Sequence, residues 1–164
     1  MTSLLPSVTR KRPPARRVTL TAPVAQAVPA YGVTALPAEC CGFLVGSWRD
    51  GDVEVFDAWP AANATMRSPA SRFLIRAEAV LGAIRRAAKT GRELVGFYHS
   101  HPDGAPTPSA VDVEQPWLGF VHLIVALPPA GPGTLTAWTF PDPGCPARRL
   151  ALDKVPVKPR AQRN

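Results

Sequence analysis

The chain has 164 residues, enough to bury one proper core. Its apolar content of 46% is that of a globular protein. No apolar run approaches the ~18 residues a membrane span needs, and no apolar stretch with a small-residue cleavage site reads as a signal peptide. The formal charge of +7 belongs to the ends. Residues 1–17 hold five basic groups (Arg10, Lys11, Arg12, Arg16, Arg17) and no acid. Residues 148–164 hold six basic groups and one acid, Asp153, which leaves the middle net acidic. Both ends are rich in proline and poor in apolar residues, so they read as arms. The predicted division is a basic arm over 1–17, one domain over 18–152 and a basic tail over 153–164. Three cysteines is an odd number, and Cys40 and Cys41 are neighbours. On a strand such neighbours face opposite sides, which excludes a disulfide framework and suits a reducing, cytoplasmic compartment.

In chain order, residues 18–20 read as a short strand. Thr21 is a fitting N-cap and Pro23 suits a first turn, which predicts a helix over 22–34, weakened by Pro29 and Gly32. Residues 40–45 are an apolar run suited to a buried strand, closed by Gly46. Arg49-Asp50-Gly51-Asp52 is a hairpin turn, and 53–59 the returning strand. Residues 60–71, with Asn, Thr, Ser and two prolines, form a loop. Ala77, Val80, Leu81 and Ile84 have helical spacing, predicting a helix over 76–89 with Arg85, Arg86 and Lys89 at its solvated end and Gly91 as its stop. Residues 93–98 are apolar and aromatic and read as a buried strand. Residues 120–127 form a strand buried on both faces, in which His122 reads as packed and hydrogen-bonded. Further strands are predicted over 135–140 and 149–152. No internal repeat is present. The order of elements gives an α/β domain with a mixed sheet.

Candidate chemistry gathers where the 93–98 strand ends, in His99-Ser100-His101-Pro102. Alternation puts both imidazoles on one face with Cα atoms about 7 Å apart. Pro102 has no N–H to continue a ladder, and 103–108 can only turn. Ser109 then opens a helix as N-cap, with Asp112 three residues on, close enough to return to the imidazoles. Two imidazoles and one carboxylate, with a fourth position for water, describe a catalytic zinc site. Cysteine ligation lacks a C-x-x-C partner. A proton shuttle must be a carboxylate outside the ligand set, and Glu39, Glu93, Asp103 and Glu114 are the candidates. Glu39 opens a buried strand, where desolvation raises proton affinity.

The joint pattern H-x-H-P-x6-S-x-x-D, filled at every fixed position by His99, His101, Pro102, Ser109 and Asp112, resembles the signature of the JAMM (MPN-plus) metalloproteases. The segment from Pro37 through Glu39 to Gly46 is similar to the family's upstream glutamate strand, and Asn63 with Arg72-Phe73 is similar to a further family feature. The resemblance spans roughly 18–152. It implies a deaminase-like sandwich with helices on both sheet faces and one Zn2+ per chain held by His99, His101 and Asp112. It implies Glu39 as the proton shuttle, and Ser109 as hydrogen-bond donor to the tetrahedral intermediate, with helix capping as the serine's competing role. It also implies hydrolysis after the C-terminal Gly-Gly of a ubiquitin-like protein, a sulfur-carrier protein included. The shortness of 60–71 and of the link from Asp112 to Phe120 leaves no room for a ubiquitin-gripping insertion. That favours a small substrate tail, expected to add along a strand edge. Two other classes are a metal-binding scaffold without catalysis and nucleic-acid binding through the basic ends. Oligomeric state is not legible.

Overall fold

The computed structural model describes residues 13–155 other than 115 and 132. Its elements run β1 Arg17–Thr21, α1 Ala22–Ala35, β2 Cys41–Arg49, β3 Asp52–Ala61, α2 Ala77–Ala88, β4 Glu93–His101, α3 Ala110–Glu114, β5 Val121–Ala126, β6 Thr134–Thr139 and β7 Arg148–Val155. Each predicted element is present; β1, β3 and β7 extend past both predicted ends, β2 and β4 run on at their C-terminal ends, and β5 and β6 stop one residue short of theirs. Gly46 does not close β2, which continues to Arg49. Pro29 lies inside α1 without dividing it. Asp50 (φ 48°) and Gly51 (φ 88°) make the β2–β3 turn, the two left-handed residues that a tight hairpin requires.

The strands form one mixed sheet in the order β1-β3-β2-β4-β5-β6-β7. β1 pairs in parallel with both β3 and β7, and β4 in parallel with β5, while the other pairs are antiparallel. The pairing of β1 with β7 closes the sheet on itself. The sequence offers no sign of this closure, because two short amphipathic strands at opposite ends of a chain carry no record of their pairing.

Alternation along β2, with a register shift opposite Leu44 and Val45 that changes the faces along β4, splits the apolar residues between two cores. Leu44, Val95 and Tyr98 face one side and pack with Val24 and Val28 of α1. Phe43, Leu94 and Phe97 face the other and pack with Val80 and Ala83 of α2. Helices therefore cover both faces, as expected. β4 lies between β2 and β5 and is buried from Leu94 to His101, so its ending is a rigid platform. Close approach makes glycine necessary twice here: a Cβ at Gly42 would lie 2.5 Å from the Tyr98 ring, and one at Gly96 would lie 2.2 Å from the Val121 carbonyl.

Contacts of the sheet extend past residues 18 and 152 at both ends. Ala15, read as part of the arm, is 1% exposed. The Arg16 N–H donates to the Gly51 carbonyl (2.8 Å), and the Trp48 indole donates to the Pro13 carbonyl (3.2 Å). At the other end, Asp153, Lys154 and Val155 pair with β1. The basic residues themselves help here: Arg17 pairs with Asp153 (2.6 Å), and Arg148 donates to the Ala15 carbonyl (2.5 Å). Arginine-rich, proline-rich composition concealed a backbone-bonded seam. Residues 1–12 and 156–164, which carry the remainder of the predicted arms and the nucleic-acid alternative, lie outside the described residues. No helix among the described residues is long and apolar enough to cross a membrane.

Candidate metal and hydrolytic site

β4 delivers His99 and His101 to one face at its C-terminal end, and α3 brings Asp112 back to them. The three donor sets converge. The two Nε2 atoms are 3.0 Å apart, His99 Nε2 is 3.3 Å from Asp112 Oδ1, and His101 Nε2 is 3.3 Å from Asp112 Oδ2. Ligands on a tetrahedral zinc with ~2.1 Å bonds are ~3.4 Å apart, so the donors stand at the edges such an ion requires. The donor chemistry fits too: two imidazoles and a carboxylate, all with side chains at most 8% exposed. These three form the metal-capable group among the described residues.

Their surroundings prepare them for this use. His101 Nδ1 lies 2.8 Å from the Ala105 carbonyl, which can only accept, so Nδ1 carries a proton; Nε2 faces the site, where it donates to Asp112 when the ring is protonated and would offer a metal its lone pair when the ring is neutral. His99 makes its polar contacts at Nε2, since its Nδ1 is buried without a partner. The Phe73 ring stacks on His99 at 4.6 Å between centroids. Burial opposes the charge of Asp112, but hydrogen bonds from His101, His99 and Ser109 outweigh it and hold the carboxyl well below the usual range. Burial likewise lowers the proton affinity of His101, yet its bonds to Asp112 and Ala105 and the nearby carboxylates raise it on balance.

Ser109 performs the capping it was expected to compete with. Its hydroxyl donates to Asp112 Oδ2 (2.7 Å), its N–H donates to the same oxygen (2.7 Å), and the Asp112 N–H reaches the hydroxyl at 3.3 Å. The serine therefore orients the carboxylate that closes the donor set.

Glu39 reaches the site across the sheet. Cys41 is opposite His99; the Cys40 N–H donates to Ser100 Oγ (2.8 Å), and the Ser100 N–H donates to the Cys40 carbonyl (3.1 Å). Glu39, two residues before Cys41, lies close enough for His101 and Asp112 to act on its carboxyl. Glu39 is 6% exposed, and burial pushes its carboxyl up to about 7 despite the attraction of His101. The other carboxylate candidates serve elsewhere. Asp103 accepts from the Ala105 N–H (3.0 Å), and Glu93, at the far end of β4, accepts from the Trp48 N–H (3.1 Å). Glu114 is exposed on the rim of a cleft.

That cleft, about 320 Å³, runs between the loop carrying Arg72 and Phe73 and the α3 segment ending at Trp117, with Asp112 and His122 in its wall. His122 is packed as expected. Its Nε2 bonds to the Trp117 carbonyl (2.9 Å), Phe140 meets its ring edge-on, and burial pulls it down to about 4. Asn63 has a part that sequence could not assign. Its amide N donates to the carbonyls of Glu39 (3.2 Å) and Arg72 (3.0 Å), and its Oδ1 accepts from Thr65 (3.2 Å) and Leu74 (3.1 Å). Three of these bonds tie the backbone at Glu39 to the loop that covers His99, and the one from Thr65 is local.

Fold and site thus define a mixed α/β domain with three donor side chains that could hold a metal at a buried strand end and a protonatable carboxylate beside them. The family model for prokaryotic homologs of the JAB domain matches residues 21–141, and the chain belongs to that family. It is 36% identical over 104 residues to the desampylase of Haloferax volcanii, covering 63% of this chain and 71% of that protein. A solution structure from Desulfitobacterium hafniense superposes with a TM-score of 0.75 at 26% identity, covering 85% of this chain and 93% of the other. One from Salinibacter ruber gives 0.64 at 32%, covering 84% and 91%.

Proposed function

We propose that this protein is a zinc-dependent peptidase or isopeptidase that hydrolyses the bond after the C-terminal Gly-Gly of a ubiquitin-like or sulfur-carrier protein. The observation that carries the proposal is the convergence of His99, His101 and Asp112 beside a buried carboxylate, Glu39, that is not one of the three. The relative named desampylase supports the ubiquitin-like class of substrate. The three unbonded cysteines suit action in the cytoplasm.

Zinc, when bound by these three side chains, supplies Lewis acidity: it makes water a nucleophile at neutral pH and polarises the scissile carbonyl. The chain's own residues do the rest. Glu39, with a carboxyl near 7, accepts a proton from the attacking water at its side-chain oxygen and returns it to the leaving amine. Ser109 holds Asp112 at rest, and rotation about one bond turns its proton towards a developing oxyanion. Asn63 and Phe73 hold the Glu39 strand and the His99 ring in register.

The path of the substrate tail differs from the strand edge expected from sequence. Both edges of β4 are occupied, by β2 and β5, so no tail adds beside the histidines. The cleft beneath Phe73 and Trp117 is the route we assign. Glycine suits it, because a chain without side chains approaches a wall of this kind closely. Purified protein should contain about one zinc per chain and should release the C-terminal adduct of a sulfur-carrier protein with higher kcat/KM than it cleaves linked diubiquitin. Faster cleavage of diubiquitin would reassign the partner, and full activity without metal would remove the mechanism.

A further inference from the structure

The strand that carries no ligand holds the most telling contact outside the donor set. Sheet register places Cys41, His99, Ile124 and Thr136 in one row across β2, β4, β5 and β6, so their side chains share a face. Thr136 is 3% exposed, and both ends of its hydroxyl are engaged. The Trp138 indole Nε1 lies 2.9 Å from it, and the Pro106 carbonyl 2.6 Å. An indole N–H only donates, so it takes a lone pair of the hydroxyl. A carbonyl only accepts, so the hydroxyl proton goes to Pro106. The bond has one possible direction.

Pro106 follows Ala105, whose carbonyl receives Nδ1–H of His101 at 2.8 Å. The pyrrolidine ring fixes φ at Pro106, so holding its carbonyl from β6 leaves the Ala105–Pro106 peptide plane little freedom. The other supports of this loop lie at its start: Gly104 and Leu127 donate to the His101 carbonyl (3.1 and 3.0 Å), and Asp103 receives Ala105 N–H. Thr136 anchors its middle from the opposite side. We propose that Thr136 is a positioning residue for the metal site: through Pro106 and Ala105 it fixes the tautomer and orientation of His101, with Trp138 aiming its hydroxyl. This rests on the reading of His99, His101 and Asp112 as metal donors.

The test compares the full chain with Thr136→Val, Thr136→Ser and Trp138→Phe. Valine keeps the shape and removes the hydroxyl, serine restores it, and phenylalanine leaves the hydroxyl unaimed. Circular dichroism first establishes which variants fold. Ring-nitrogen NMR of metal-free protein then reads the tautomer of His101, and competition with a chromophoric chelator reads Zn2+ affinity. The expected result is a His101 ring protonated at Nδ1 in the unaltered chain and in Thr136→Ser, and a mixture of tautomers in Thr136→Val. Zn2+ binding should weaken about tenfold in Thr136→Val, the lower end of what loss of an outer-shell partner costs, and a few-fold in Trp138→Phe. If Thr136→Val does not fold, Trp138→Phe against Thr136→Ser decides by the same two measurements. An unchanged tautomer in every folded variant lacking the hydroxyl or its indole donor overturns the proposal. An unaltered chain that takes up no Zn2+ would instead fail the metal reading, and the metal-free spectra would still decide the role of Thr136.

Discussion

Glu39 and the three donors beside it differ in what their surroundings do to a proton. Asp112 receives enough hydrogen bonds to stay ionised, while Glu39 has burial as its dominant influence and sits near 7. Glu39→Gln should therefore leave zinc content unchanged and lower turnover by about 10²–10⁴-fold. Loss of zinc in that variant would make Glu39 a ligand. His122 is the second residue whose surroundings decide its charge. It is 4% exposed and pulled from its ordinary value to about 4, so the folded chain resists protonating it while the unfolded chain does not. Its contribution to stability is whole above pH ~6.5 and is lost as pH falls from there towards ~4, roughly 3 kcal/mol in all. Urea midpoints across that window should fall less steeply in His122→Gln than in the unaltered chain, and parallel curves would contradict this account. The convergence of His99, His101 and Asp112 was legible because strand period, a proline stop and a capping box are local signals. Asn63, Phe73 and Thr136 were not legible in role, because each acts through contacts to segments distant in the chain.

At the scale of elements, helices and strands were legible and their junctions less so. Apolar spacing over α2 and the hairpin at Asp50-Gly51 follow from near neighbours. The overrun of β2 past Gly46 does not, because its cause lies in β3. A Cβ at Gly46 would lie 1.8 Å from the Glu54 carbonyl, so glycine there permits close pairing and does not end the strand. The same distinction separates two glycine substitutions. At Gly42 a Cβ would meet the Trp59 carbonyl at 2.3 Å and the Tyr98 ring at 2.5 Å, and both neighbours belong to the packed sheet. Gly42→Ala should destabilise by about 1–3 kcal/mol, as overpacking does. Gly82 lies inside α2 with nothing within 4 Å of a Cβ. Gly82→Ala should stabilise by about 0.5–1 kcal/mol, since alanine loses less backbone freedom in a helix. Denaturant midpoints check both signs. A neutral Gly42→Ala would mean that the sheet next to Glu39 is slack, which would weaken any claim that this strand holds a base in place.

For the whole molecule, closure of the sheet moves the boundary of what must be kept. Composition places the domain at 18–152, and a chain trimmed there loses Ala15, the Arg16–Gly51 backbone bond and the end of β7 that pairs with Thr19, Leu20 and Thr21. It also loses the Trp48–Pro13 bond, the Arg17–Asp153 pair and the carbonyl that Arg148 binds. The exposed Arg17–Asp153 pair adds little, but each hydrogen bond to the backbone is worth ~0.5–1.5 kcal/mol and β1 would lose part of one partner. A deficit of at least ~2 kcal/mol lowers Tm by roughly 4–8 °C for a domain of this size. A chain trimmed to 13–155 keeps every one of these contacts and should melt with the full chain. The site lies on β4 and α3, away from this seam, so zinc content below the transition should be the same in all three. Heating them side by side, with metal analysis of each, separates the two expectations. Equal melting of the 18–152 and 13–155 chains would show that the β1–β7 seam contributes nothing to stability. Loss of zinc from the 18–152 chain while still folded would show that closure of the sheet reaches the metal site itself.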